Sequence, residues 1–338
     1  MSVVDELNPY APPAEAPDGG PGAVPQAPDR TRSRIRPGRP AGATDRRSAR
    51  PAAPLPPRQP MPHRTSVVVT ALLVLALLAG WFLLQVFVLS GLSQGRSQAV
   101  LHAELRQQLA AQTAPTGGAL DPGTPVALLE IPTLGLQQVV VEGTAGADLM
   151  MGPGHRRDTV LPGQAGIAIV YGRAASYGGP FRILAQLREG DGVTVTTGQG
   201  EFVYRVDGVR REGDPLPVAL GQGGARLTLV TAEGQGVLAA VAPDRTVYVD
   251  ATLVGDAATG PGGRPAAVPG AEKAFAADPG VLPVFALSLQ VLLVAAVVTV
   301  LALRRLPGRA VWVLAVPVLV AAAWLAADSA VQLLPNLL

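Results

Sequence analysis

The stretch VALLEIPTLGLQQVVVEG, Val126–Gly143, decides the fold class. Two apolar, β-branched runs flank a Pro and a Gly, the residues that punctuate strands. The same texture recurs in GIAIVYG (166–172), GVTVTTG (192–198), EFVYRVDGV (201–209), RLTLVT (226–231) and TVYVDATLV (246–254). Seven or eight short strands with turn signals between them predict an all-β sandwich or barrel over 124–256. A segment of roughly 130 residues can bury an adequate core.

Outward from that segment the texture changes. Val67–Leu89 holds 23 residues and no charge. About 20 apolar residues span a bilayer as a helix, so 66–90 reads as a first transmembrane helix. It is a retained span, because a secretory signal has a shorter apolar region and no such long leader. Leu101, Leu105 and Leu109 recur every fourth residue and predict a polar helical stalk, which with a Gly/Pro/Thr-rich spacer fills 91–123. A Gly/Pro/Ala linker covers 257–281. Residues 282–303 and 310–327 form two further apolar runs, joined by a turn at 304–309 that carries Arg304, Arg305 and Arg309. Residues 328–338 form an outer tail. Residues 1–65 are rich in Pro, Gly, Ala and Arg and predict a disordered tail. Ten Arg against six acidic residues give that tail a net +4, most of it just before the first span. Arg-rich flanks stay inside, which puts the tail in the cytoplasm and the β domain on the outer face of a multi-pass protein. The tail reads as solvated chain beside anionic lipid; a Pro-rich partner-binding tail is the alternative.

Composition excludes several classes. The chain has no cysteine, hence no disulfide, thiolate metal site or thiol nucleophile. His63, His102 and His155 are its only histidines, too scattered to suggest a metal site. Neither a metal nor a cofactor is implied. A net charge of +2 does not point to nucleic acid. The expected partners are the lipid bilayer and a peptide or protein at the cell surface.

The segment 127–255 resembles the sortases, membrane-anchored cysteine transpeptidases of Gram-positive surfaces, and most of all the housekeeping, class E-like members of high-GC bacteria. LLEIPTLGLQQVVVEGT resembles the family's opening strand pair. ADLMMGPGHRRDTVLPGQAG resembles the loop leading to the catalytic His, and YGGPFRILAQLREGD the segment after it. RLTLVTA stands where the family has Thr-Leu-x-Thr-Cys, and DRTVYVDATLV resembles the closing strand with the catalytic Arg. Five ordered matches carry more weight than one short motif. The resemblance implies an eight-stranded β-barrel and a sorting-signal peptide as ligand.

It also implies which positions carry the chemistry. Counting back from Tyr177-Gly178-Gly179-Pro180-Phe181, Arg173 stands where the family has its His. A guanidinium, with a pKa above about 12, does not shuttle protons near neutral pH. Ala232 stands where the family has its Cys, and a methyl group forms no thioester. Arg245 is the candidate for the retained Arg. Thr228, Leu229, Thr231 and Arg245 are the candidate substrate-binding residues. These positions predict a pseudo-sortase that binds an extended peptide by strand-like contacts without turning it over. One alternative is a cell-surface hydrolase or transpeptidase with another nucleophile, Thr228 or Thr231, and Glu233 as base. The other is a structural membrane subunit in which the spans matter most. His155 reads as structural, and Ser288, Gln290 and Asp328 as helix-packing or span-boundary residues.

Overall fold

The computed structural model describes residues 63–234, 243 and 245–338. The expected disordered tail lies outside the described residues as far as residue 62, and helix begins at His63. Helix α1 (His63–Leu84) passes through a π-helical turn (Gln85–Leu89) straight into α2 (Ser90–Ala110). Then follow β1 (Pro125–Ile131), β2 (Leu136–Glu142), α3 (Gly146–Met151), β3 (Gly154–His155), β4 (Gly166–Tyr171), β5 (Gly192–Thr197), β6 (Gly200–Arg211), β7 (Ala225–Glu233) and β8 (Arg245–Leu253). Two antiparallel helices complete the described chain, α4 (Leu282–Leu303) and α5 (Gly308–Val331).

The eight strands close into a barrel in the order β1-β2-β3-β4-β7-β8-β6-β5, and β1 pairs with β5 to seal it. The β2–β3 and β4–β7 pairs are parallel, and the other pairs are antiparallel. The barrel answers the all-β reading of the sequence, with Leu129, Ile131, Val140, Val193, Val195, Leu227, Leu229 and Val249 filling its interior.

The triplet Val139-Val140-Val141 explains why the stalk is not a free stalk. Successive strand residues point to opposite faces. Val140 enters the barrel core, while Val139 and Val141 face outward and are wholly buried under Leu101 and Leu105 of α2. A strand apolar on both faces needs a cover, and the four-residue leucine spacing supplies it. Gln98 fastens the contact. Its amide nitrogen donates to the carbonyls of Val139 (3.1 Å) and Met151 (2.9 Å), and its amide oxygen accepts the Val139 N–H at 2.7 Å.

Three helical segments each contain an 18-residue stretch apolar enough to cross a membrane: Ala76–Ala110, Pro279–Leu303 and Gly308–Val331, with mean hydropathies over that stretch of 1.9, 2.6 and 2.3. The third runs past Asp328, which the sequence suggested as its end. Asp328 is held inside α5 by tertiary partners: the Tyr177 hydroxyl donates to it at 2.6 Å and the Gln85 amide at 3.3 Å. The linker over 257–281 is also docked. Arg264 donates to Glu142 (2.6 Å), the Thr159 carbonyl (2.9 Å) and the Gly118 carbonyl (3.1 Å), and Arg157 pairs with Glu272.

Leu105 is 2% exposed. Leu105→Ala should destabilise the full chain by about 2–5 kcal/mol, the cost of a cavity in a packed contact. Denaturant unfolding in detergent micelles checks this; a loss below about 0.5 kcal/mol would mean that α2 does not depend on the contact.

Candidate functional site

Strand β7 organises the site. It pairs with β4 in parallel register from Ala225 to Val230 and with β8 in antiparallel register from Arg226 to Glu233. Its alternation sends Leu227 and Leu229 into the barrel and turns Thr228, Val230 and Ala232 to the outer face. The same alternation brings out Ile167, Ile169 and Tyr171 from β4, and Tyr248 and Asp250 from β8. These residues floor a cleft of about 480 Å³, overhung by Leu216, Pro217 and Leu220 of the β6–β7 loop. A second cleft of about 500 Å³ lies at the end of β7, lined by Ala174, Ala175, Arg182, Thr231, Ala232, Glu233 and by Phe87 of the membrane helix.

Most polar groups of the first cleft satisfy one another, while the buried Arg226 Nε has no hydrogen-bond partner. Asp250 is 3% exposed; it accepts the Thr228 hydroxyl at 2.7 Å and the Arg210 Nε at 2.5 Å. The Arg210 guanidinium lies over the Tyr248 ring, 4.2 Å from its centre. Arg226 donates to the Val218 carbonyl at 2.6 Å and so ties the overhanging loop to the sheet.

The sequence-predicted positions separate. Ala232 lies at the end of β7 and is 5% exposed. Thr231 lines the second cleft, but its hydroxyl donates to the Gly172 carbonyl at 3.0 Å. Leu229 is wholly buried in the barrel core, so this expected substrate contact faces away from both clefts. The reason is the period of two: a strand that presents Thr228 and Val230 outward must turn Leu229 inward. Arg245 opens β8 opposite Glu233, whose carboxylate accepts from Arg211 at 2.8 Å. Arg173 follows β4 and is wholly buried. It donates to the Ser176 hydroxyl (2.9 Å) and the Gly146 carbonyl (3.1 Å), and its guanidinium stands 5.4 Å from the centre of the Tyr177 ring. Loss of hydration pulls its pKa down to about 10, and its Nε has no hydrogen-bond partner. His155 is wholly buried elsewhere, with Nδ1 3.0 Å from Glu142 and Nε2 2.8 Å from the Val160 carbonyl.

Residues 129–254 match the family model of the sortase domain, from β1 to the last strand, and Arg173 and Ala232 lie within the match. The barrel belongs to the sortase family. The chain is 33% identical over 79 residues to Sortase D of Bacillus subtilis (strain 168), an alignment covering 23% of this chain and 38% of that relative's length. Among solved structures, sortase E from Streptomyces avermitilis is 30% identical with a TM-score of 0.34, over 46% of this chain and 100% of its own. A Clostridium perfringens Sortase D5 transpeptidase is 21% identical with a TM-score of 0.40, over 47% of this chain and 99% of its own. The sortase barrel accounts for the five ordered motifs and for the strand count read from the sequence.

Several residues of the clefts escaped sequence reasoning. Tyr248 and Asp250 had a usable signal, because TVYVDATLV alternates and puts both on one face with Thr246. Tyr171 and Arg210 had none, since only the pairing of β4 with β7 and of β6 with β8 brings them together.

Short helix α3 forms a wall here: Gly146 receives Arg173, and Leu149 packs with Ala232 and Val230. Its Asp148 accepts the Ala145 N–H at 3.2 Å. Burial raises the carboxyl from 3.8 to about 6, outweighing that hydrogen bond, with Glu272 adding to the rise and Arg157 opposing it. An acid whose folded pKa is raised stabilises the fold fully below its unfolded pKa, and that stability is lost as pH rises through the folded value. Asp148→Asn keeps an acceptor for Ala145 and removes the charge. The stability difference between this variant and the parent should therefore shift in the variant's favour between pH 3.8 and about 6 and then level off. Urea midpoints across that range read it, and a flat difference would refute the burial argument.

Proposed function

We propose that this chain is a membrane-held pseudo-sortase: a sortase-like barrel that binds an extended cell-surface peptide, or a partner carrying one, without transpeptidation. The single observation that carries the reading is the absence of cysteine from all 338 residues, with an alanine closing the strand where the family places its nucleophile. Covalent acyl transfer needs an activated nucleophile, and a methyl group is none. The second support is Arg173, fully buried on neutral acceptors at the position of the family's His. A guanidinium there neither accepts a proton nor reaches a ligand.

Another nucleophile finds no support in the geometry. The Thr231 hydroxyl is committed to the Gly172 carbonyl and that of Thr228 to Asp250, while Glu233 is engaged with Arg211. The cleft over β4, β7 and β8 remains suited to binding. Its floor is apolar at Ile167, Ile169 and Val230 and aromatic at Tyr171 and Tyr248. Because β7 is paired on both sides, a ligand there meets side chains rather than a free strand edge, and strand addition is not its mode. The Arg-rich segment before α1 and the three Arg at the α4–α5 turn support a reading with those ends in the cytoplasm and the barrel on the outer face.

Labelled sorting-signal peptides titrated against the full chain in micelles test the reading. Binding is expected below about 1 mM, corresponding to roughly 4 kcal/mol. Ile167, 45% exposed on the cleft floor, offers a variant that spares the fold. Ile167→Glu should weaken binding about tenfold. Mass spectrometry of the same mixtures should find neither cleaved nor transferred peptide. Absence of binding removes the recognition role, and any turnover removes the pseudoenzyme.

A further inference from the structure

Between the two clefts lies a recess that the chain itself fills. The segment 332–338 follows α5 and turns back onto the barrel. Asn336 and Leu337 are wholly buried and Leu338 is 5% exposed. Asn336 is fixed by its side chain, which donates to the carbonyls of Ala271 (2.6 Å) and Lys273 (2.8 Å), and by its N–H, which donates to the Ala276 carbonyl at 3.1 Å.

The next two residues meet the site. The Leu337 carbonyl accepts the Ala174 N–H at 3.0 Å. The Leu338 carbonyl accepts the Ser176 N–H at 3.2 Å and the Ser176 hydroxyl at 2.5 Å. That hydroxyl in turn accepts from Arg173. The Leu337 side chain joins one apolar cluster with Leu149, Tyr171, Val230 and Ala232. This cluster draws Tyr171 and Val230 from the first cleft and Ala232 from the second.

We infer that this recess is a peptide-binding site in its own right, for a short segment that turns tightly at an Asn followed by two apolar residues, as the Leu338 N–H bond to the Pro335 carbonyl (3.0 Å) shows here, and that Asn336–Leu338 occupies it in cis. Two backbone donors and one hydroxyl of the 174–176 loop are aimed at main-chain carbonyls, which any such peptide carries. The apolar floor takes a leucine-sized side chain. Asn336 sets the register, because only a side-chain amide donates to two carbonyls at once from that position. The occupant divides the surface above β7, so a ligand seated on Val230 reaches Ala232 only by displacing Leu337. The effect on groove ligands rests on the function proposed above; the occupancy itself does not.

The absence of native cysteine makes the test clean. Ala232→Cys introduces a single thiol, whose reaction with a maleimide is followed on the full chain in micelles. Adding Leu337→Ala, or separately the isosteric Asn336→Asp, should speed labelling about tenfold as the segment leaves the recess. The synthetic peptide Leu-Leu-Pro-Asn-Leu-Leu should slow it again in the Leu337→Ala protein. Equal labelling rates with and without either tail substitution would overturn the inference, as would a peptide without effect. Failure of sorting-signal peptides to bind would sink the proposed function and leave this result standing.

Discussion

Contacts from the π-turn, α2 and α5 to the barrel converge on six residues, Gly172–Tyr177. The Tyr177 N–H donates to Ser90 at the start of α2, and its hydroxyl to Asp328 near the end of α5. Its ring, 1% exposed, packs among Val86 and Val331. Ala174 and Ser176 bind the segment after α5, and Gly172 receives Thr231. The loop is crowded: a β-carbon on Gly172 would lie 2.3 Å from the Phe181 ring, and Tyr177 adopts φ 48°, a left-handed conformation that costs a bulky residue strain. That strain is tolerated because two membrane segments and the barrel all depend on where this one ring sits.

A second junction lies on β2 and β3, the latter paired with β4 in the barrel. Glu142 and His155 are wholly buried, and Arg264 of the linker reaches both. Arg157 and Glu272 form a neighbouring pair. Breaking a buried ion pair leaves an uncompensated charge, so such networks fix geometry even where they add little net stability. Here the geometry fixed is the path of the linker, which delivers Ala271, Lys273 and Ala276 to Asn336. Both ring nitrogens of His155 are engaged within this network, with Glu142 and with the Val160 carbonyl.

Arg173 is a cation held wholly inside the fold. A buried cation is costly unless its donors are satisfied, and this one has only a hydroxyl, a carbonyl and an aromatic face as neutral partners. Its role in the described structure is to brace α3 against the 173–177 loop and, through Ser176, to orient the hydroxyl that holds Leu338.

Much was legible in the sequence. The β texture, the three apolar runs and the bounds of α4 follow from local rules: periodicity of two for strands, and charge-free length for spans. The missing cysteine is a fact of composition, and Ala232 and Arg173 follow from motif order. Sequence also showed the leucine repeat of α2, though not that it covers Val139 and Val141. What it could not show is anything set by pairing across distance. Leu229 was read as a contact and proved to be core, because the inward face of a strand is chosen by the closed barrel and not by the strand itself. The same holds for Asp328, for Arg264 and above all for Leu337. A leucine after a membrane helix looks like any other until tertiary structure carries it 105 residues back along the chain to Ala232. Sequence alone determined that this chain contains no thiol; only the fold decided that Leu337 packs against Ala232, because that is set by long-range packing and not by local propensity.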